Sequence, residues 1–427
     1  MLISPRFQND AQFTLSLCPI QQAARQSVLQ KLAAGVYAME NTSCLCGQQD
    51  DDVLAEKDRY GLPVRTVICR QCGQLRTSPR MTAQSYQQFY QHDYRPLYVG
   101  AAEASEEFFG KQYGHGRQIL TYLQSQVPQL GNKVLEIGCG AGGILYAFQQ
   151  QGFEVCGIDL GSNYLEYGRQ QGLNLLHKSS RQLLQIGAEQ YDVIILSHVL
   201  EHFLDIPAEL EVIHQLLKTD GILYIEVPGL AGLKQRYQCD FLRYLQNAHT
   251  YHFTRATLNS VLASSGYQCL HSDDFIHSMF QKCAPHQLAT DANEYRRTLE
   301  FLQDLEQNRS RYQAEAKLVS EQQRQQKFTL LREKLAHYPA KSVYLYGTGQ
   351  HSRLLLNALA PSQAIGGLLD ADPAKAGSEL FGYKVATLED ALASMQAIVI
   401  SSDVYQDMLY LRLKKQIPAQ IELLRIY

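Results

Sequence analysis

Residues 133–142 read Lys-Val-Leu-Glu-Ile-Gly-Cys-Gly-Ala-Gly. Val134, Leu135 and Ile137 form an apolar strand, the glycines form a turn, and a helix is expected over Ile144–Gln150. A strand that breaks on glycines into a helix marks an α/β unit. Glycine suits the turn because a Cβ would keep a ligand off the backbone. The helix N-terminus that follows offers free N–H groups and a positive dipole end. Dinucleotide-binding folds share this turn, so alone it selects no ligand. Two features narrow it. Glu136 stands two residues before the first glycine. A second strand, Glu154–Ile158, ends in Asp159, nineteen residues after Gly140. A carboxylate at that strand tip can accept both hydroxyls of a ribose.

Further on, Tyr191–Leu196 reads as a strand followed by Ser197-His198-Val199-Leu200-Glu201-His202. Leu216–Pro228 reads as a helix end, a glycine and another strand. In this order, over residues 105–270, the segments resemble the class I S-adenosylmethionine-dependent methyltransferases. The resemblance implies a Rossmann-like α/β core that binds S-adenosylmethionine through Glu136, Gly138, Cys139, Gly140, Asp159, Leu160, Ser197 and His198. The competing reading is a Rossmann-like domain that keeps the fold without the activity, because fold does not fix function.

A chain of 427 residues has room for two to four domains. A net charge of −3 gives no general attraction to nucleic acid or to an anionic membrane. The N-terminus lacks a basic-then-apolar leader, and no apolar run reaches spanning length, so a cytoplasmic location is expected. The ten cysteines do not form a secreted disulfide pattern. Cys139, Cys156, Cys239, Cys269 and Cys283 are expected as buried small apolar residues.

The other notable cysteines come in two pairs. Cys44-Leu45-Cys46 and Cys69-Arg70-Gln71-Cys72 are separated by twenty-two residues, and each pair is followed by glycine. Four thiolates at such spacing suit a closed, structural zinc ion with no open catalytic position. Val64–Ile68 alternates as a strand leading into the second pair, so the whole reads as a small zinc ribbon. The first pair departs from the usual C-x-x-C, and reduced, metal-free cysteines are the alternative. The order of zinc ribbon, methyltransferase and second Rossmann-like domain resembles bacterial sugar methyltransferases, some acting on carbon of nucleotide-linked deoxysugars. That resemblance implies a nucleotide sugar as partner.

The expected organisation is an N-terminal helix and zinc ribbon over 1–100, the methyltransferase over 101–285, a helical linker over 286–336 and a Rossmann-like domain over 337–427. Leu299, Leu302, Leu305, Tyr312 and Leu318 recur at helical intervals in the linker. The heptad is poor, and the sequence sets no oligomeric state. In the last domain, Ser342–Tyr346 leads into Gly347-Thr348-Gly349-Gln350-His351-Ser352, with a helix expected over Arg353–Leu359. The third glycine of a dinucleotide turn is missing, which argues against NAD and a dehydrogenase. Gly347, Gly349 and His351 are candidates for holding a substrate phosphate, with a structural domain as the alternative.

Methyl transfer is an in-line displacement, and the protein must align the acceptor and often take its proton. Candidate bases lie past the strand ends: His198, Glu201 and His202, and His249 in Asn247-Ala248-His249-Thr250-Tyr251-His252-Phe253-Thr254. The carbon-methylating group carries a Tyr-His-Glu-His pattern, and its last histidine falls on His249. The tyrosine and glutamate positions hold Gln246 and Ala248. One imidazole activates an alcohol or amine more readily than a carbon, so oxygen or nitrogen is the favoured acceptor, with carbon retained. Thr254 is expected to cap a helix over Arg255–Ser264. Tyr94, Arg95, Tyr98 and Tyr251 are candidate substrate contacts, since aromatic faces stack on sugars and arginine binds phosphate.

Overall fold

In the computed structural model, strands form wherever apolar runs are flanked by turn residues. Residues 2–100, 104–187, 189–288, 291, 293–360 and 362–427 are described. Residue 101, the expected start of the methyltransferase segment, lies outside them. The chain divides into two units: Met1–Ala104 with Gln118–Ala316, and Ser105–Arg117 with Lys317–Tyr427.

In the first unit, Asp51–Ala55 (β1), Thr66–Cys69 (β2) and Leu75–Thr77 (β3) make an antiparallel meander. β2 starts later than the alternation at Val64–Ile68 suggests. Pro63 has no N–H for a ladder, and the Val64 amide donates to Leu62 O instead.

A second, seven-stranded sheet follows. Its parallel members are Lys133–Ile137 (β4), Glu154–Asp159 (β5), Leu175–His177 (β6), Tyr191–Ser197 (β7) and Leu217–Glu226 (β8). Tyr251–His252 (β9) leaves this sheet and pairs with β3, Tyr251 opposite Arg76 and His252 opposite Leu75. Tyr267–Ser272 (β10) and His277–Lys282 (β11) return as an antiparallel hairpin beside β8. The order is β10-β11-β8-β7-β4-β5-β6. Parallel strands covered on both faces read as unbroken apolar runs. Accordingly Val193, Ile194, Ile195 and Leu196 are fully buried. Ile194, Leu196, Leu223 and Ile225 pack with Leu210, Ile213, Leu258 and Leu262 from helices Ile206–Leu216 and Arg255–Ser264. Thr254 caps the latter as expected, its hydroxyl accepting from Thr257 N at 3.2 Å. The strand order reverses between β4 and β7, and open α/β sheets bind ligands past the strand ends at such a reversal.

Cys139, Cys156 and Cys239 are buried as expected, but Cys269 is exposed and Cys283 half-buried. Cys269 lies on β10, which has a neighbour on one side only.

The linker is two helices, Glu294–Gln307 and Arg309–Leu335. Leu302, Leu305 and Tyr312 are buried against Phe7, Leu54 and Phe241 in the first unit. Leu318 is exposed. The second unit holds a six-stranded sheet whose centre is Val343–Tyr346 (β12), Ile365–Leu369 (β13) and Ala397–Ile400 (β16), with Glu379–Leu380 (β14), Tyr383–Ala386 (β15) and Glu422–Leu424 (β17) outside them. Its helix begins earlier than Arg353, at Gln350, directly after Gly349. No described helix is long and apolar enough to cross a membrane.

Gly138 shows what the sequence turn costs to replace. Its φ is +77°, and an added Cβ would sit 2.5 Å from Val199 Cγ2. Gly138→Ala is expected to destabilise the fold by about 1–3 kcal/mol or more, from a left-handed residue plus the clash. Urea unfolding monitored by far-UV dichroism checks this; an unchanged midpoint contradicts it.

Candidate functional site

The turn after β4 holds Asp159 in place. Gly140 N donates to Asp159 Oδ2 at 2.8 Å, and Gly161 N donates to Oδ1 at 2.6 Å. Each oxygen keeps a further lone pair, and the carboxylate is fixed at the tip of β5. Beneath the turn, Glu136 is buried, and its Oε2 has no hydrogen-bond partner. Burial, then the charges of Asp159 and Glu226, push the Glu136 carboxyl well above the usual range. A buried polar atom left without a partner is one that a ligand can complete.

One expectation needs correcting. The missing Cβ at Gly138 does not make room for a ligand, and three of the turn's amides bond within the protein. Gly138 N and Cys139 N both donate to Ile158 O, at 2.8 and 3.1 Å, and Gly142 N donates to Cys139 O at 2.8 Å. The glycines supply left-handed backbone, with φ of +77°, +56° and +77° at Gly138, Gly140 and Gly142. At Gly138 the space a Cβ would fill belongs to Val199, not to a ligand. What fits S-adenosylmethionine here is the orphaned Glu136 oxygen and the fixed Asp159 carboxylate. The exposed Leu160 side chain lies beside them, and Cys139 is buried. Ser197 donates its hydroxyl to Glu226 Oε1.

Arg95 lies on this side as well, its guanidinium 3.4 Å from the Tyr164 ring centre. It sits against Gly161, at the start of helix Ser162–Gln170.

We expect Asp159→Ala to weaken S-adenosylmethionine binding by about 1.5–3 kcal/mol, because hydrogen bonds to a charged acceptor are lost. Calorimetric titration checks this, and an unchanged dissociation constant removes Asp159 from the ribose.

The imidazoles gather past β7. His198 takes φ +55°, and its Nδ1 lies 3.5 Å from Glu201 Oε1. His249 Nε2 lies 3.8 Å from the same oxygen. The rings of His202 and His249 are 4.9 Å apart, edge to face, and His202 Nδ1 meets the Tyr90 hydroxyl at 3.0 Å. The donor atoms of Glu201, His202 and His249 all lie within 4.8 Å of one another. Burial, then His202, His252, Arg59 and His198, hold the His249 imidazole well below its ordinary pKa. Burial lowers the pKa of His198, but the contact with Glu201 outweighs it and the net shift is upward.

The N-terminal sheet holds the loop that carries His249. Thr77 Oγ1 donates to His249 O at 2.9 Å, and Thr77 N donates to Thr250 O at 2.9 Å. Asn247 N donates to Asp58 Oδ2 at 3.0 Å, Tyr86 OH to Asn247 O at 2.7 Å, and Ala248 N to Tyr98 OH at 3.2 Å. Arg59 donates to Gln246 Oε1, which turns the amide nitrogen of Gln246 towards His249 Nε2. The amide therefore donates to Nε2, which rests unprotonated with its lone pair engaged by that bond. Asp58, which no sequence motif singles out, is fully buried and also accepts from Tyr60 N and Leu62 N.

The expected aromatic contacts are divided. Tyr94 packs on Tyr90, ring centres 4.8 Å apart, and near His202 at 6.2 Å. Tyr98 is tied to Ala248 N. Tyr251 is buried in the core beside Phe253.

Cys44, Cys46, Cys69 and Cys72 also converge, with all four sulfurs within 4.8 Å of one another. Cys44 and Cys72 sulfurs are 3.4 Å apart, and Cys46 and Cys69 sulfurs 3.7 Å apart. A tetrahedron of Zn–S bonds of about 2.3 Å sets sulfurs about 3.8 Å apart, so this donor set fits zinc.

In the second unit, His351 uses both ring nitrogens within the protein, Nδ1 with Ser401 Oγ at 3.0 Å and Nε2 with Tyr427 OH at 2.9 Å. Asp370, at the end of β13, accepts from Thr348 and from Lys375 Nζ at 2.9 Å. Gly347 has φ +117°, and Gly349 precedes the helix. A ligand at Gly347, Gly349 and His351 would have to displace protein bonds at His351.

Residues 112–272 match the model of a family described as "Methyltransferase domain". The matched residues span most of the seven-stranded sheet, an open and mostly parallel α/β fold. The chain is 31% identical over 115 residues to the ubiquinone biosynthesis O-methyltransferase of Haemophilus ducreyi, an alignment covering 24% of this chain and 49% of that one. It is 33% identical over 116 residues to the enzyme of that name from Actinobacillus pleuropneumoniae serotype 5b, covering 25% and 50%. The chain thus spans about half the length of these curated relatives. Among solved structures it is similar to the 1,6-didemethyltoxoflavin-N1-methyltransferase of Burkholderia thailandensis, with TM-score 0.35, 17% identity, and coverage of 49% of this chain and 96% of that one. A SAM-dependent methyltransferase from Archaeoglobus fulgidus gives TM-score 0.30 and 22% identity, covering 36% and 69%.

Proposed function

We propose that this chain transfers a methyl group from S-adenosylmethionine to a small polar acceptor, a nucleotide-linked or glycan sugar. The observation that carries the reading is the gathering of His198, Glu201, His202 and His249 past β7, next to the strand whose turn fixes Asp159. The bound cofactor supplies an electrophilic methyl on a positively charged sulfur. The protein supplies the rest. Glu136 and Asp159 hold the nucleoside. His249 takes the acceptor's proton through its unprotonated Nε2, and His198 and His202 line the same space. The two ubiquinone-pathway relatives named above are O-methyltransferases by name, which accords with oxygen as the acceptor atom. Carbon is a second reading, favoured by one observation: Glu201 brings to His249 the carboxylate that Ala248 lacks. The nucleotide-sugar assignment rests on the sequence resemblance. Zinc at Cys44, Cys46, Cys69 and Cys72 completes the proposal as a structural ion.

The test is transfer of a labelled methyl group from S-adenosylmethionine to a panel of nucleotide sugars, glycans and simple alcohols and amines. Turnover of a sugar is the expected result. Cofactor binding without transfer to any sugar overturns the acceptor class. No cofactor binding at millimolar concentration supports a scaffold that retains only the fold.

A further inference from the structure

His249 is a base in an unfavourable place for one. His202, His252 and His198 crowd its ring, and Arg59 reaches it through Gln246. Each of these opposes a positive charge on the imidazole. Tyr90 and Tyr244, from the other packed segments, are neutral phenols buried well away from ionisation. A base that cannot hold the proton it takes gains little from its position. Among the described residues one carboxylate lies within 4 Å of the ring, that of Glu201. Glu201 is 1% exposed, neither of its oxygens makes a hydrogen bond within ordinary distance, and His198 Nδ1 faces the same oxygen at 3.5 Å. A buried carboxylate is costly unless charges nearby meet it, and beside His198 an imidazolium on His249 would be a second such charge.

We propose that Glu201 is a positioning residue that serves as counter-charge to the imidazolium formed on His249 during methyl transfer. The proposal rests on the methyltransferase reading but is testable apart from it. The acceptor displaces the Gln246 amide from His249 Nε2 and passes its proton there, and the acceptor's electron pair forms the new bond to the methyl carbon. The carbon–sulfur bond breaks with its pair left on sulfur, giving S-adenosylhomocysteine. The resting carboxylate then faces a cation 3.8 Å away, in a site already shaped for it. After product leaves, the proton passes to solvent and the resting arrangement is restored.

The decisive measurement follows the ionisation of His249 by NMR in full-length protein carrying ring-labelled histidine, saturated with S-adenosylhomocysteine. Its signal is assigned by its absence in His249→Gln. Glu201→Gln keeps the shape and removes the charge, and the His249 midpoint is expected to fall by at least one pH unit. Glu201→Asp is expected to restore part of that shift. An unchanged midpoint in Glu201→Gln overturns the proposal, whether or not any acceptor is turned over. With a working acceptor, kcat in Glu201→Gln is expected to fall about 10–100-fold, KM to stay within twofold, and the acid limb of the rate profile to move to lower pH. A bound metal ion beyond one at the four cysteines, lost on Glu201→Gln, would assign the carboxylate to that metal and overturn the proposal too. Matching melting curves show that each variant folds; if Glu201→Gln does not fold, the shift between Glu201→Asp and the wild type decides, and none overturns it.

Discussion

Replacing His249 by alanine is expected to lower turnover about 10²–10⁴-fold and leave the affinity for S-adenosylmethionine within about twofold. The rate loss follows from geometry. The Gln246 amide donates to Nε2, so that nitrogen rests unprotonated, and an acceptor that displaces the amide meets its lone pair. The neighbouring imidazoles are placed differently, and His198 faces Glu201 Oε1 at 3.5 Å. His202 is engaged by Tyr90, and the His252 ring is fully enclosed with neither nitrogen paired, its pKa lowered to about 3 by burial. The cofactor affinity should hold because Glu136 and Asp159 sit on β4 and β5, while His249 belongs to the loop before β9. The checks are steady-state kcat with the best acceptor and calorimetric titration of the cofactor. Equal rates in both proteins remove His249 from the mechanism. A parallel loss of cofactor binding means that the substitution damaged the fold instead.

How much of this was legible in the chain depends on how local each signal is. β4, β5, β7, β8 and the Thr254 cap are read correctly because apolar runs, glycines and capping residues act over a few neighbours. Asp159 at the end of β5 is legible for the same reason. The role of the glycines after β4 is not. Sequence shows that a Cβ is unwelcome, but only the fold shows that Val199 occupies the space at Gly138. The pairing of Glu201 with His249 spans separate segments, and Ala248 in the motif position hides it. The placement of His249 is the least legible of all. It depends on Thr77, Tyr86, Asp58 and Tyr98, which come from the N-terminal sheet and the helices after it and carry no motif. Tyr98, expected as a substrate contact, is one of these anchors. In the linker, the helical period is read correctly to Tyr312, but Leu318 follows the period and faces solvent.

The same anchoring yields the second large effect. Stripping a metal from Cys44, Cys46, Cys69 and Cys72 is expected to abolish turnover without touching the cofactor grip. Structural zinc sites contribute on the order of 10 kcal/mol of folding free energy at neutral pH in small domains. Here Cys69 ends β2 and Cys72 opens the turn to β3, so the four sulfurs close the end of the meander. β3 is the strand that pairs with β9, and Thr77 at its end holds His249 O and Thr250 O. Loosening the cysteine end therefore frees the loop that presents the base. The cradle around Glu136 and Asp159 belongs to the other sheet, which has its own core. We expect chelator-treated protein to melt at least about 10 °C lower, since each kcal/mol lost moves the midpoint of a 150–250-residue domain by about 2–4 °C. Turnover should fall below one hundredth, and the S-adenosylmethionine dissociation constant should stay within about threefold. Zinc added back should restore both melting and turnover. Cys69→Ser should reproduce the stripped state and resist rescue. Full activity in protein shown to be free of metal would separate the cysteine cluster from the placement of His249.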